Sequence, residues 1–214
     1  MIKNILFVIL VIMTFISCKI GGIKGNGDEI SENREVDSFQ MIDVSGNFDV
    51  LVEGGQSQDL AIYAESNLIE FIKTKVKNNI LYIYSKENLR PTQKLLIQIS
   101  VPKLLAINCS GANNVHAKDI NSDKFEIDLS GAGTVEIDGM TNFLSVELSG
   151  AADLMAKDFI TENIKIDVSG AANAEVYASE SIDADISGAG NIELYGDAKN
   201  VNTDISGAGS LDRK

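Results

Sequence analysis

From residue 105 onward apolar and polar side chains alternate strictly, and the alternation resets at one motif. Ser-Gly-Ala occurs six times, beginning at Ser110, Ser130, Ser149, Ser169, Ser187 and Ser206, at spacings of 20, 19, 20, 18 and 19 residues. One residue before the Ser stand Cys109, Leu129, Leu148, Val168, Ile186 and Ile205; three before it Ile107, Ile127, Val146, Ile166, Ala184 and Thr203; five before it Leu105, Phe125, Leu144, Ile164, Ile182 and Val201. Period-two alternation puts one face of a β-strand in the core. Five residues after the Ser, Val115, Val135, Leu154, Ala174, Ile192 and Leu211 open a second short strand. Each unit is therefore strand, small-residue bend, strand and polar return. One unit cannot bury its own apolar row, but units stacked about 4.8 Å apart bury a continuous core and pair every backbone edge. The pattern predicts an all-β fold, a parallel β-helix (β-solenoid) with rungs of about 19 residues. An antiparallel sandwich is the alternative, but it gives no reason for one motif in one register.

The bend is explained by sterics. Gly reaches dihedrals closed to other residues where stacked backbones crowd. The positions after Ala are small (Asn113, Gly133, Ala152, Ala172, Gly190, Gly209), and the next ones (Asn114, Thr134, Asp153, Asn173, Asn191, Ser210) are types that bond their own turn backbone. Residues 36 to 102 are related but less regular. Asp43-Val44-Ser45-Gly46 repeats the corner once, with Phe48, Val50 and Val52 continuing the alternation. Asn67 with Glu70 three residues on has the form of a capping box opening a helical turn. Asn78-Asn79 between two apolar runs predicts a tight hairpin, and Leu95, Ile97, Ile99 and Val101 predict a strand before Pro102.

Val36-x-x-Phe39, Ile42-Asp43-Val44-Ser45-Gly46-x-Phe48-Asp49-Val50, Asn67-Leu68, the Ile72 to Val76 strand with Leu81 after it, and the later Ser-Gly-Ala rungs together resemble the putative auto-transporter adhesin, head GIN domain family, over residues 36 to 211. The resemblance implies a β-helical extracytoplasmic domain, often carried on a lipoprotein, and brings no catalytic residue with it. An auto-transporter's translocating barrel has no room here, so a lipid would replace it as the anchor.

The start of the chain supplies that anchor. Apart from Thr14, residues 5 to 16 are all apolar, too short a run to cross a roughly 30 Å hydrocarbon core and of the length of a signal-peptide h-region. It ends in Phe15-Ile16-Ser17-Cys18, which resembles a bacterial lipobox with Phe in place of the usual Leu. The expected organisation is a lipoprotein signal peptide over 1–17, lipidation at Cys18, a flexible tether over 18–35, and a single domain over 36–214. A simple secretory signal with an incidental Cys, or a short buried helix, are the other readings of the same run. The expected location is the cell envelope, as an outer-membrane lipoprotein facing either the periplasm or the outside. The acids that mark surface export in some systems are not adjacent to Cys18; Lys19, Ile20 and Gly21 follow instead.

Composition narrows the partners. The chain has 214 residues, 44% hydrophobic, with 31 acidic against 18 basic side chains for a net charge of −13, which excludes a nucleic-acid binder and opposes binding to anionic headgroups. No cofactor motif is present. Six serines invite a hydrolase reading, yet a nucleophilic Ser needs a base, the one His is His116, and no Gly-x-Ser-x-Gly elbow exists. His116 falls in an outward column with Glu136, Met155, Glu175, Glu193 and Asp212, which reads as a surface His beside carboxylates, with metal ligation the alternative. Cys109 lies in an apolar column and reads as a small buried hydrophobe, with a redox thiol the alternative. The column two before the Ser, Asn108, Asp128, Glu147, Asp167, Asp185 and Asp204, stacks like charges that repel by nearly 1 kcal/mol per pair in water. Solvation and counterions offset this, or a hard cation such as Ca²⁺ bridges rungs through Asp128, Glu147, Asp167, Asp185 and Asp204.

The expected function is a lipid-anchored binding or adhesion domain without catalytic activity, whose stacked Ser, Ala and Asn/Thr surface recognises a glycan, a protein or another copy of the chain. An envelope structural protein, or a polysaccharide-acting β-helix enzyme, is the alternative. An enzyme would gather acids and bases in one concavity, whereas a binding face would leave them in ladders. At the other end, the rung that starts at Ser206 places Asp212, Arg213 and Lys214 at a strand edge, where charge opposes pairing with other chains.

Overall fold

The computed structural model describes residues 21–214. Among the described residues, seventeen strands and one 3₁₀ turn occur in chain order. The first nine strands are short: β1 (Ile23–Lys24), β2 (Glu29–Asn33), β3 (Met41–Gly46), β4 (Asp49–Gly54), β5 (Asp59–Glu65), β6 (Ile72–Lys77), β7 (Ile80–Ser85), β8 (Leu89–Arg90) and β9 (Leu96–Val101), with the 3₁₀ turn at Ile69–Phe71. The regular half follows as β10 (Ala106–Gly111), β11 (Asn114–Gly131), β12 (Thr134–Gly150), β13 (Asp153–Gly170), β14 (Asn173–Gly188), β15 (Asn191–Tyr195), β16 (Asn200–Gly207) and β17 (Ser210–Arg213). It is a β-solenoid of about five turns of roughly 20 residues, as the motif spacing predicts.

Each of the long strands is one turn of the coil. In β11 the buried-exposed alternation breaks into exposed pairs at Lys118-Asp119 and Asp123-Lys124, and the chain bends at both, as well as at Ser130-Gly131. Three faces result. Face A contains Phe125 to Ser130 and its equivalents, face B Asn114 to Ala117, and face C Ile120 to Ser122. Pairing is parallel and in register, so Ser45, Ser110, Ser130, Ser149, Ser169, Ser187 and Ser206 form one column. The inward columns are buried in the internal rungs: Leu129, Leu148, Val168 and Ile186 are each at most 2% exposed. The corner glycine is required. At Gly150, φ is +98°, and a Cβ there would fall onto the carbonyl oxygen of Gly131 in the rung below.

The N-terminal half stacks out of chain order. The β3–β4 corner lies between β10–β11 on one side and β7 and β9 on the other, all parallel. Beyond that rung the direction reverses. β6 adds antiparallel to β7, β5 antiparallel to β9, and β2 antiparallel to β5. These strands close this end, with Lys73, Lys75 and Lys77 exposed along the β6 edge, a common device against edge pairing.

Two local expectations hold. Asn78 and Asn79 have φ of 52° and 66° and make the β6–β7 hairpin, the paired positive φ of a type I′ turn. The helical turn also forms, but not through a capping box: Leu68 occupies the cap without a side-chain bond. Asn67 instead accepts from the Asn26 backbone N–H at 3.0 Å and donates to the Lys24 carbonyl at 2.8 Å.

That contact corrects the flexible tether expected over 18–35. Within its described part, Ile23–Lys24 pairs with Leu89–Arg90, and Glu29–Asn33 pairs with β5. The cause is the carboxylate of Glu65, which is fully buried and accepts from the Gly27 N–H at 2.7 Å, the Thr92 N–H at 2.9 Å and the Thr92 hydroxyl at 2.6 Å. A Cβ at Gly25 would collide with that carboxylate unless the Glu65 side chain moved.

Candidate functional site

Face A carries one serine column across seven rungs. Its serine column is flanked by the acidic column Asp43, Asn108, Asp128, Glu147, Asp167, Asp185 and Asp204, one residue per rung in direct register. Both columns continue past Ser45 and Asp43 into Tyr84 and Tyr82 of β7, and then to Lys73 and Lys75 of β6. The face therefore grades from lysine and tyrosine at the closed end to serine and carboxylate at the other. Ser110 donates to Ser45 at 2.8 Å, and Ser130 to the Cys109 carbonyl at 3.4 Å. A shallow trough of about 380 Å³ runs across Asp128, Glu147, Ser149, Asp167 and Asp185.

The carboxylates form a ladder. Lys165 approaches Asp167 at 3.4 Å. Burial, together with the charge of Asp128 two rungs away, raises the Asp43 carboxyl above its ordinary range, against a 3.4 Å hydrogen bond from Ser45 that lowers it. Among the described residues no group of three or more His, Cys, Asp or Glu side chains is placed to hold a metal ion, so Asp128, Glu147, Asp167, Asp185 and Asp204 do not converge.

Asn/Asp side chains at the start of face B act differently from the local turn bonding expected of them. They tie rung to rung: Asn114 donates to Asp49 and Asn173 to Asp153, each at 2.9 Å, and Ser210 donates to Asn191 at 3.2 Å. Further along face B, His116 Nδ1 sits 2.8 Å from Glu136, Lys157 3.7 Å from Glu175, and Lys214 3.0 Å from Glu193. The hydrogen bond from Lys214, with that of Tyr195, holds the Glu193 carboxyl below its ordinary value; burial and the Glu193 bond raise the Tyr195 phenol, and Glu193 raises Lys214. These are exposed or half-exposed pairs, and solvent screens them. Each of these three pairs joins neighbouring rungs along face B, while Glu53, His116, Lys118 and Asp119 line a hollow of about 410 Å³.

Cys109 is buried, and desolvation with the charges of Asp43 and Asp128 pushes its thiol up to about 12. It is a neutral thiol at physiological pH and a poor nucleophile. Cys18 lies outside the described residues.

Sequence reasoning missed two polar residues. Asn113, read as a small corner residue, is 2% exposed, accepts from the Phe48 N–H and donates to the carbonyls of Val44 and Ser110. It welds the first regular rung to the β3–β4 corner. Glu65 resembles any surface acid in sequence; its one signal is the apolar strand it terminates, Leu60 to Ala64.

The family model described as "Putative auto-transporter adhesin, head GIN domain" matches residues 38–198, and the chain belongs to that family. The structure resembles that of a putative adhesin from Bacteroides fragilis NCTC 9343, with a TM-score of 0.76 and 22% identity over 90% of this chain and 100% of that one. It also resembles two proteins of Parabacteroides distasonis ATCC 8503. A putative lipid binding protein has a TM-score of 0.60 at 22% identity, and a putative adhesin 0.56 at 21%, each over 90% of this chain and 99% of its own. Identities this low establish the fold. No curated protein sequence matches the chain. Among the described residues no helix is long and apolar enough to cross a membrane.

Proposed function

We propose that the protein is a lipid-anchored, extracytoplasmic adhesion domain that binds through face A and carries out no chemistry there. The observation that carries the reading is the register of that face: seven rungs present Ser and acid or amide side chains at one fixed spacing. Parallel rungs hold such a ladder rigid before any ligand arrives, so binding costs little side-chain ordering. Short hydroxyls and carboxylates offer hydrogen bonds to the repeating hydroxyls of a glycan or to an extended protein segment. The family assignment supports adhesion, and the Ser17-Cys18 junction after the apolar run supports lipid attachment at Cys18.

The test uses the full chain displayed on cells and a panel of immobilised polysaccharides and matrix proteins. Binding above that of cells lacking the chain is expected for at least one panel member. It should fall when Ser149 and Ser169 are both replaced by Lys, which leaves the core untouched. Equal binding by the two cell types across the panel would contradict the reading. For the anchor, a labelled fatty acid should enter the wild-type chain and not Cys18→Ala; equal labelling would remove Cys18 as the attachment point.

A further inference from the structure

On face B, beside the closed end of the stack, three strands leave an outward hollow that the repeating corner does not require. In register across β9, β4 and β11, Gln98, Leu51 and His116 form one row, and Ser100, Glu53 and Lys118 the next. With Asp119 they line a space of about 410 Å³, within the range of small-molecule sites. Leu51 gives it an apolar wall, 39% exposed between a carboxamide and an imidazole.

Strand β11 departs from its neighbour at this hollow. Lys118 and Asp119 stand where β12 has the single residue Asp138, a bulge of the kind that re-aims side chains. Outside the Asn78-Asn79 turn, Asp119 is the one non-glycine residue with positive φ among the described residues, at 56°. Such a backbone persists where its surroundings impose it. Here the Asp119 N–H donates to Asp138 Oδ1 at 2.8 Å, and the Asp119 carbonyl lies over Gly54, where a Cβ would come within 2.5 Å of it.

The polar side chains of the hollow are largely unused by the protein itself. His116 has a partner in Glu136, 2.8 Å from its Nδ1. Among the described residues the side chains of Glu53, Gln98, Ser100, Lys118 and Asp119 have neither an ion pair nor a hydrogen bond, although Glu53 and Lys118 are opposite in register. At the start of the same face, by contrast, Asn114 bonds Asp49 and Asn173 bonds Asp153 from rung to rung.

We propose that this hollow is a second binding site, on a different face from the serine column, and that it takes the ring of a neutral sugar. A pyranose has an apolar C–H face and a rim of hydroxyls that both donate and accept. Leu51 meets the first, and the carboxylates, carboxamide, hydroxyl and ammonium around it meet the second. Two carboxylates against one unpaired ammonium oppose an anionic ligand such as a uronate or a phosphate. No group of three or more His, Cys, Asp or Glu among the described residues is placed to hold a metal ion. No Phe or Tyr lines the hollow, so a nucleobase has no ring to stack on. The site goes beyond the face A reading and stands or falls without it.

The full chain, purified in detergent and methyl-labelled, is titrated with the methyl glycosides of glucose, galactose, mannose and N-acetylglucosamine and followed by NMR. At least one is expected to shift the Leu51 methyl and Gln98 side-chain amide signals saturably. Leu51→Arg fills the hollow from an outward position; with its fold checked by circular dichroism, it is expected to weaken that binding by at least about tenfold. Asp119→Asn tolerates the same φ and is expected to weaken it several-fold, because an amide oxygen accepts fewer hydrogen bonds than a carboxylate. Methyl glucuronide is expected to bind no more tightly than the neutral glycosides. The proposal is overturned by the absence of a saturable shift with all of them, by unchanged affinity in Leu51→Arg or Asp119→Asn, or by tighter binding of the glucuronide. Shifts confined to the column of Ser149 and Ser169 would overturn it as well, while supporting binding at face A.

Discussion

Residues 21–105 and residues 106–213 build rungs on the same faces and specify them by different means. The second region repeats one corner, and each rung is held mainly by its two neighbours. The first places a single such corner, at Ser45-Gly46, between strands taken from elsewhere in the chain, and then reverses strand direction to close the stack. It relies on individual polar residues, Glu65 and Asn113, where the repeat relies on register. A periodic stack can be lengthened by copying, but only an aperiodic segment can end it.

The sharpest way to break the periodic region is through a corner. Gly150→Ala forces a Cβ against the Gly131 carbonyl at a φ of +98°, and should destabilise the protein by about 3 kcal/mol or more in urea unfolding. Gly55→Ala, at a φ of +73° in open space, should cost only about 1 kcal/mol. Equal losses would show that crowding between stacked rungs is not what selects glycine.

The next largest contrast lies along one rung stack. Val168→Ala removes a side chain that is 2% exposed and should cost about 2 kcal/mol. Val201→Ala, at 37% exposure, should cost under about 1 kcal/mol. Calorimetry on both variants reads the difference.

In the aperiodic region, Glu65→Ala should release the 21–33 segment while leaving the repeat intact. Hydrogen exchange should quicken at Gly27, β2 and Thr92 and stay unchanged in β12 and β13. Hydrogen bonds from Thr92 and Gly27 hold the Glu65 carboxyl below its ordinary value of 4.5. Its contribution is therefore complete above that pH and lost as pH falls further, so acid should loosen this segment before the repeat.

The smallest effect expected is at Cys109. With its thiol pushed up from 9.0 to about 12, the folded state binds more protons than the unfolded one between those values. Its contribution is complete below pH 9.0 and declines as pH rises toward 12. Below pH 9.0 the native protein should show no reaction at Cys109 with a disulfide reagent, and rapid reaction in denaturant.

The repeat was legible because its signals are local: the Ser-Gly-Ala corner fixes register, and alternation fixes which side chains turn inward. Asn78-Asn79 was legible for the same reason, since two residues carry the whole turn. The out-of-order stacking of β3–β4 was not. Tyr84 takes the place of a corner serine beside Ser45, and no local pattern marks it as an equivalent. Residues 21–35 read as tether because their four glycines and scattered acids carry no apolar stripe. Their docking depends on a buried carboxylate some 38 residues downstream, a long-range polar contact with no periodicity. The acidic column was legible as a column, while its failure to converge on an ion site depends on side-chain geometry that stacking alone does not fix.

The central claim, an adhesion domain held outside the cell by a lipid, is tested most directly by protease treatment of intact cells beside permeabilised ones. The account predicts that the domain is digested on intact cells and remains with the membrane until lipid attachment is blocked by Cys18→Ala. Full protection until the outer membrane is opened would contradict it, because a face that never meets the exterior cannot serve adhesion.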